Sequence, residues 1–426
     1  MRTNFSMAQL ANSHLADVEK NLRACVHCGI CTATCPTYVL TGDERDGPRG
    51  RIVMMQAMLE SDTAPTPETV HHLDRCLSCL GCRTACPSGV NYPRLIDTAR
   101  AHIETRYARP FGERMLRWLI ANVLTRPQLS RAMLTAAKLF APLHFLLPGR
   151  LRVMADKGAA MRVGKGDGGV LLASAEAKRI ALMPGCVQKA LAPEIDEAVA
   201  RLLARRGFAL VPLEGAGCCG SLVHHLGRED DAKAWAKRAI VSFEKSGGEF
   251  EAVLITATGC SSHLKDLAHL FAGDPHWQPR AARFAAKVKD FSELISPRGA
   301  EIPQRLRVAY HAPCSLRHGL RLFGLNETLL TAAGFDVLAI PEGHLCCGSA
   351  GSYSILQPEL ANALRARKLD NIAALEPDVI ATANIGCLEH LSGGTPIVHV
   401  AELLDWAEGG PEPAALHQSR AIDGAP

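Results

Sequence analysis

The sequence predicts a multidomain α+β protein, in which a helical N-terminal domain and a basic helical connector precede two tandem α/β cysteine-rich repeats. Three observations support this. Eight of the 16 cysteines form two spaced motifs within the first 110 residues. Lys and Arg outnumber acidic residues by ten between positions 100 and 165. The other eight cysteines fall in two blocks related by a shift of 127 or 128 residues, each with alternating strand and helix patterns.

These patterns give the expected domain boundaries. We expect the helical domain to span residues 1–110, the connector 111–175, the first cysteine-rich repeat 176–300, the second 301–410 and a flexible tail 411–426. A chain of 426 residues exceeds one ordinary core, so several domains are expected on length alone.

Composition excludes several functions. The net charge of +4 is too small for a general nucleic-acid-binding surface, and aromatic residues make up only 5%, which leaves little material for base stacking. The charged N-terminus predicts no signal peptide, and no apolar run is long enough for a membrane span. We therefore expect a cytoplasmic protein, in which clustered cysteines serve metal or redox chemistry instead of disulfides.

Helix signals frame the N-terminal cysteines. Ser13 is a candidate N-cap for a helix over 14–23 that leads into Cys25. Thr66 followed by Pro67 predicts a helix that runs into the second motif. Two further helices are predicted. One begins near Asp46 and Pro48 and ends near Leu59, and the other begins at Pro93 and runs toward Tyr107.

The N-terminal cysteines form the motif Cys-x2-Cys-x2-Cys-x3-Cys-Pro twice, 51 residues apart. In two-cluster ferredoxins the first three thiolates bind one cluster, and the fourth, before the proline, binds the other. The motif therefore predicts a ferredoxin-like domain with two 4Fe-4S clusters. The predicted ligands are Cys25, Cys28, Cys31 and Cys86 for the first cluster, and Cys76, Cys79, Cys82 and Cys35 for the second. Structural zinc is the alternative, but it has no use for a third cysteine at this spacing.

The connector contains no cysteine and carries most of the positive excess. Apolar residues such as Leu116, Ile120 and Leu134 recur near helical spacing, and residues 163–169 (VGKGDGG) favour a flexible linker. Two interpretations stay open. The helices either bridge the cysteine-containing domains with their arginines in water, or present an amphipathic basic surface to an anionic membrane or an acidic partner.

Each repeat is predicted to run strand–helix–strand–helix–strand, with parallel strands. The predicted elements are 179–183, 194–205, 209–212, 230–243 and 252–256 in the first repeat, and 307–310, 326–333, 336–340, 358–374 and 378–382 in the second. The cysteines follow the ends of predicted strands, where open α/β sheets place their sites.

The thiols of each repeat, with one imidazole, suit an iron–sulfur or other metal centre or a dithiol redox pair. A buried cysteine cluster without metal is the alternative. The possible third metal or redox site comprises Cys186, Cys218, Cys219, Cys260 and His263; the possible fourth comprises Cys314, Cys346, Cys347, Cys387 and His390.

The chain has a predicted path for electrons but no predicted hydride acceptor. Its glycine-rich segment, Gly164-Lys165-Gly166, does not follow a strand and is no dinucleotide-binding motif, and no P-loop is present. We also identify no Ser-His-Asp arrangement. The sequence therefore predicts no catalytic residues on this chain and a flavin on another subunit.

The whole chain resembles the iron–sulfur subunits of bacterial glycolate oxidase (glycolate dehydrogenase). The similarity lies in Cys25-Val-His-Cys28-Gly-Ile-Cys31-Thr-Ala-Thr-Cys35-Pro-Thr-Tyr38, then Thr41-Gly-Asp-Glu44 and Pro48-Arg-Gly-Arg51. The Cys-Cys-Gly repeats resemble the cysteine-rich domain of heterodisulfide reductases, lactate-utilisation proteins and the anaerobic glycerol-3-phosphate dehydrogenases. In the reductase relatives the repeat ends Cys-x2-Cys and binds a non-cubane four-iron cluster; here His263 and His390 stand at the last position.

This resemblance implies a complex in which partner subunits carry FAD and the substrate site. The complex would oxidise glycolate to glyoxylate, and this chain would pass the electrons toward the quinone pool, in the cytoplasm or peripherally on the cytoplasmic face of the inner membrane. Lactate or glycerol 3-phosphate is the alternative substrate of the complex. Thiol–disulfide reduction of the heterodisulfide-reductase type is the alternative activity, and a zinc-stabilised scaffold is the non-redox alternative.

Overall fold

The computed structural model describes residues 2–139, 177–183, 185–247, 249–299 and 305–417. Its N-terminal part is helical, as predicted. The α-helices here are Met7–Leu10, Ser13–Ala24, Pro36–Thr41, Pro48–Ser61, Pro67–Asp74, Gly81–Ala85 and Tyr92–Arg106, with 3-10 turns at Ile30–Thr32 and Glu44–Asp46. The cysteines lie at the ends of these helices and in the loops between them.

Local capping sets the helix starts. Asn12, not the predicted Ser13, caps the helix Ser13–Ala24, because its side-chain oxygen accepts from the main-chain N–H of His14 and Leu15 at 2.9 and 3.2 Å. Thr66 caps the helix Pro67–Asp74 as predicted.

One apolar core fills the N-terminal domain. The helices Ser13–Ala24, Pro48–Ser61 and Tyr92–Arg106 bury their apolar faces against one another, and Cys25 and Cys76 belong to the same core. The fully buried side chains of Leu22, Met55 and Leu95 hold these helices together. The cysteine loops are therefore anchored at a closely packed base.

The described part of the connector is helical. It comprises the helix Phe111–Leu119, a π-helical segment Ile120–Leu124 and the helix Pro127–Leu139. The predicted apolar positions Leu116, Ile120 and Leu134 are buried. The predicted linker at 163–169 lies outside the described residues.

Part of the positive charge at the connector is paired. Arg109 and Arg117 donate to the Asp74 carboxylate at 2.6 and 3.0 Å, and both also bond Glu113. These two arginines are buried against the N-terminal helices. They fasten the connector to the N-terminal domain and do not contribute to a basic surface.

Two four-stranded parallel sheets follow, which confirms the predicted α/β repeats. The strands are β1 (Lys178–Leu182), β2 (Phe208–Pro212), β3 (Ala252–Leu254) and β4 (Val288–Lys289), then β5 (Arg307–His311), β6 (Asp336–Leu338), β7 (Val379–Thr382) and β8 (Ile397–His399). The sheet orders are β2-β1-β3-β4 and β6-β5-β7-β8, with every pair parallel. Each sheet has a fourth strand beyond the three predicted.

The helices of the repeats include the four that were predicted and several that were not. The α-helices are Cys186–Leu191, Glu194–Ala204, Ser221–His225, Glu229–Lys245, Thr258–Lys265, Leu267–Leu270 and Trp277–Lys287 in repeat one, and Leu325–Ala332, Tyr353–Leu356, Pro358–Ala373, Ile385–Leu391 and Val400–Ala407 in repeat two. Further turns are a 3-10 helix at Phe291–Glu293 and a π-helix at Ser315–Leu320. The missed helices include short ones at or near cysteines, such as Cys186–Leu191, Ser221–His225 and Ile385–Leu391, and also two longer ones away from any cysteine, Trp277–Lys287 and Val400–Ala407.

The two repeats share a core. The helices Glu194–Ala204 and Val400–Ala407 pack together, and side chains from both sheets belong to one apolar cluster. Arg201 and Arg205 both bond the buried carboxylate of Asp405 across this contact, at 2.7 and 2.8 Å. Within the part of the chain that the structure describes, no helix is both long and apolar enough to cross a bilayer.

Candidate metal centres

The first predicted set of thiols converges in the structure. Cys25, Cys28, Cys31 and Cys86 line one small cavity beneath the N-terminal cysteine loop, which Cys82 of the second set also lines. Gly29 takes a left-handed conformation (φ 81°), which lets the loop turn directly after Cys28. Burial raises the pKa of the Cys31 thiol to about 11, and Cys25, Cys86 and Cys28 add to the rise, so the other three thiols lie near Cys31.

The second set converges beside it. Burial raises the pKa of the Cys82 thiol well above its ordinary range, and the next contributions come from Cys79, Cys76 and Cys35, the other three predicted ligands. Cys31 of the first set also acts on Cys82. The two sets are therefore neighbours, and the thiol before each proline joins the opposite motif.

A buried cation lies against the second set. Arg51 is 1% exposed, and its Nη1 points at Cys35 Sγ at 3.8 Å. Arg100 donates to the main-chain oxygen of Cys76 and to Ser78 Oγ, both at 2.6 Å. Guanidinium groups remain protonated in proteins, so two positive charges flank this set of thiols.

Arg51 belongs to a buried polar network that sequence analysis missed. Asp46, fully buried, accepts from Arg75 at 2.7 Å and lies 2.8 Å from His72 Nδ1. Arg51 donates to the main-chain oxygen of His72 at 2.8 Å and to Thr37 Oγ1 at 3.1 Å. The Pro48-Arg-Gly-Arg51 sequence was the available signal, since an arginine so close to a cysteine motif is a candidate partner for it. The network fixes where the Arg51 charge lies.

Repeat one brings its four predicted thiols together in two pairs. Cys186 and Cys218 have their sulfurs 3.4 Å apart, and Cys219 and Cys260 have theirs 3.0 Å apart. The main-chain N–H of Gly220 points at Cys218 Sγ at 3.4 Å. His263, the predicted imidazole, packs against His224 with ring centroids 5.1 Å apart.

Repeat two pairs its thiols in the same way, because Cys314 contacts Cys346 and Cys347 contacts Cys387. Its closest imidazole is His311, which was not predicted. The donor atoms of His311, Cys347 and Cys387 all lie within 4.8 Å of one another. The sequence signal was His311-x2-Cys314 at the end of β5.

The predicted His390 lines the same cavity as the thiols of repeat two. Its Nε2 is 3.2 Å from the main-chain oxygen of Ala361. His311 is 1% exposed, and its Nε2 has no hydrogen-bond partner among the described residues. His311, at the start of the repeat, therefore joins the thiols of repeat two, and His390 lies near enough to act on it.

The second N-terminal set of thiols abuts repeat two. Cys79 and Cys314 pack against one cluster that contains Cys346, and after burial Cys314 contributes most to the raised pKa of the Cys79 thiol. A cavity of about 1470 Å³ extends from here between the N-terminal helices and both repeats. Thiols from all three parts line it, among them Cys79, Cys219, Cys260, Cys314 and Cys347. The predicted third and fourth sites therefore face a common space.

The donor sets fit metal clusters. All 16 cysteines are free thiols. Because burial and neighbouring thiols raise the pKa values of thiols in each set, as at Cys31, Cys82, Cys218 and Cys347, ionisation requires a nearby cation. A bound metal supplies that charge and deprotonates a coordinating thiol outright.

Comparisons with known proteins agree with this arrangement. Residues 21–90 match the family model of a 4Fe-4S dicluster domain, and residues 180–265 and 308–392 each match the model of a cysteine-rich domain. The chain is 37% identical to the glycolate oxidase iron–sulfur subunit of Escherichia coli, over 96% of this chain and 99% of the relative. It is 31% identical to the probable glycolate oxidase iron–sulfur subunit of Bacillus subtilis, with the same coverage.

More distant similarities cover less or show only the fold. Lactate utilization protein A of Exiguobacterium sp. is 30% identical over 53% of this chain and 96% of that protein. A crystal structure of a hypothetical protein from Helicobacter pylori superposes with a TM-score of 0.56 at 9% identity, covering 96% of this chain and 75% of that one. On the full-length similarity to the first two relatives, the chain belongs to the family of glycolate oxidase iron–sulfur subunits.

Proposed function

We propose that this chain is the electron-transfer subunit of a flavin-dependent glycolate dehydrogenase complex. The thiols of Cys25, Cys28, Cys31 and Cys86 would hold one 4Fe-4S cluster, and those of Cys35, Cys76, Cys79 and Cys82 the other. Such clusters, when bound, accept and release single electrons. Membership of the iron–sulfur subunit family and the match to a dicluster domain support the proposal.

One observation carries the route of the electrons: the thiol sets are neighbours in series. Cys82 of the second set lines the same cavity as Cys31 of the first, and Cys79 of the second set packs in one cluster with Cys346 of repeat two. Apart from Cys28, every thiol in these sets is buried or half-buried in the protein. The first set lies at the exposed end of this series, because Cys28 is exposed to solvent. We infer that electrons enter or leave there and that repeat two stands at the other end.

Repeat two is the better candidate for a further redox centre. Two of its thiols, Cys347 and Cys387, form a buried donor set with His311, whereas His263 of repeat one faces another histidine. Two main-chain or amide donors also point at its sulfurs: Gly348 N lies 3.5 Å from Cys346, and Asn384 Nδ2 lies 3.6 Å from Cys387. Such donors stabilise thiolates and tune the potential of a bound centre.

The flavin and the substrate site would belong to partner subunits. Glycolate oxidation to glyoxylate releases two electrons and two protons, which the partner's flavin would take up before single electrons pass to this chain. The relatives from Escherichia coli and Bacillus subtilis are both named as subunits of a glycolate oxidase. A quinone is the proposed final acceptor.

The test is anaerobic co-purification of the tagged chain from its native host. The expected result is a flavin-containing partner, together with reduction of an artificial acceptor by glycolate in the complex and no turnover by this chain alone. Lactate and glycerol 3-phosphate serve as parallel substrates. Turnover by the isolated chain, or a preparation with zinc and no iron, would overturn the proposal.

We further infer that the complex sits peripherally on an anionic membrane, through the helix Phe111–Leu119. Phe111, Met115 and Trp118 share one face of this helix and are 77%, 47% and 57% exposed, with the exposed Arg114 beside them. An apolar stripe with a cation next to it is typical of helices that lie in a membrane interface.

Flotation of the complex with anionic vesicles tests this placement. Phe111→Ser with Trp118→Ser should abolish flotation, while Phe323→Ser, which removes an equally exposed ring from repeat two, should not. Unchanged flotation of the double variant would contradict the inference, and loss of the flavin partner in that variant would assign the face to a protein contact instead.

A further inference from the structure

A group of nitrogen and oxygen donors lies outside the thiol sets, at the junction between the N-terminal domain and repeat one. Asp97 comes from the helix Tyr92–Arg106, and His224 and His225 come from the helix Ser221–His225. One donor atom from each of the three lies within 4.8 Å of the other two. His263 packs against His224 from a third helix, Thr258–Lys265.

This group has unused hydrogen-bonding capacity. Asp97 Oδ1, His225 Nδ1 and His263 Nε2 are buried atoms without a hydrogen-bond partner among the described residues. Native proteins rarely leave buried polar atoms unpaired, and a cluster of such atoms indicates a bound water or ion. Carboxylate oxygen and imidazole nitrogen, with no thiol among them, suit a divalent transition metal more than an iron–sulfur cluster.

The junction holds these donors in place without help from a metal. Arg94, on the same helix as Asp97, makes two hydrogen bonds to Asp266 of repeat one at 2.5 and 2.6 Å. Gly227 follows the two histidines with a φ of 85°, and a Cβ there would collide with the main-chain oxygen of Arg100. The two domains therefore touch backbone to backbone within a few residues of the donors, which keeps their spacing fixed.

We propose that Asp97, His224 and His225 bind a divalent transition-metal ion of the zinc class, with His263 as the nearest further nitrogen ligand. Because the carboxylate and the imidazoles come from different domains, the ion fastens repeat one to the N-terminal domain. Arg100, three residues after Asp97, also bonds the main chain at Cys76. The ion therefore stabilises the junction that holds the second set of thiols against the repeats.

The test uses the full chain with its iron and sulfide reconstituted, exposed to Zn²⁺ or Co²⁺ and then freed of loose metal. We expect one equivalent of zinc per chain beyond the iron. Cobalt in its place should show ligand-field absorption without the charge-transfer band that thiolate ligands produce. Asp97→Asn and His225→Gln should each lower the affinity for zinc. The loss should exceed roughly 10- to 100-fold, which is what replacing a group that only supports a metal ligand already costs.

His269→Ala is the matched control, because His269 lies at the same junction but outside the three-donor group. It should bind zinc as the unmodified chain does. Iron and labile-sulfide contents report whether each variant folds. The unmodified chain tests the proposal even if a variant does not fold, because a thiolate charge-transfer band in its cobalt spectrum, or no bound zinc or cobalt, would overturn it. Unchanged zinc binding in Asp97→Asn would overturn it as well.

Discussion

The buried guanidinium of Arg51 should raise the reduction potential at the second set of thiols. Replacing it with methionine removes one positive charge that points at Cys35 Sγ from 3.8 Å. Methionine has a similar length and is flexible enough to fill the same space without a charge. Asp46 retains Arg75 and His72 as partners in this variant, so its carboxylate does not become unpaired.

The distance sets the size of the effect. Two unit charges about 4 Å apart interact by about 4 kcal/mol at an effective dielectric constant of 20. An added electron spreads over a whole cluster and lies on average farther from Arg51 than Cys35 Sγ does. We therefore expect a loss of about 1–3 kcal/mol of stabilisation, which corresponds to a potential lower by roughly 40–130 mV for one electron.

A redox titration followed by electron paramagnetic resonance measures this shift in the reconstituted chain. Arg51→Lys, which keeps the positive charge, should have a reduction potential close to that of the unmodified chain. Arg45→Met is the second control, because Arg45 is exposed and its charge is screened by water and salt. If Arg51→Met left both potentials unchanged at full iron content, or if Arg45→Met shifted them equally, the electrostatic reasoning would be refuted.

Three further outcomes follow from the structure. Cys86→Ser and Cys35→Ser should each perturb a different cluster, seen as loss of a different paramagnetic signal; loss of the same signal in both would refute the crossed ligation. Burial raises the pKa of Asp196 to about 6, so its ionisation should lower the free energy of unfolding as pH rises from about 4 to 6. Asp196→Asn should remove this pH dependence and raise the free energy of unfolding, measured with denaturant at pH 7, by up to about 3 kcal/mol. An unchanged pH dependence in the variant would contradict this. Gly348→Ala should lower the thermal unfolding temperature of repeat two far more than Gly324→Ala does. Both glycines have positive φ, but only at Gly348 would a Cβ lie 2.5 Å from a main-chain oxygen. Equal decreases in the two variants would show that backbone strain alone matters.

Sequence patterns predicted the elements whose signals are local. The helix over 358–374 and the strands β1 and β5 appear within one or two residues of their predicted bounds, because apolar periodicity and proline placement act over a few neighbours. The strands β4 and β8 have only two and three residues and escaped prediction. The strands β3 and β6 also have three residues, but they lie in longer apolar runs, 252–256 and 336–340, which the sequence pattern did indicate.

The thiol sets were predictable because their spacing follows from metal geometry, whereas the histidines were not. His263 and His390 were assigned to the repeats by their position after Cys260 and Cys387, but the structure places His263 on His224 and His390 on a main-chain oxygen. His311 went unnoticed because repeat one has Met183 at the equivalent position, so comparison of the two repeats concealed it. Which imidazole faces the thiols is decided by packing between distant segments.

The two repeats share a fold but differ in what they face, and this difference indicates a division of roles. Repeat two places Cys314 and Cys346 against Cys79 of the N-terminal domain and adds a buried imidazole to its thiols. Repeat one instead presents His224 and His225 to Asp97. Electron transfer requires redox centres that lie close together. Among the described thiols of the repeats with raised pKa, only Cys346 of repeat two has a thiol of the N-terminal domain, Cys79, among the main causes. The two proposals together therefore assign one copy to extending the electron route and the other to holding the domain that begins it.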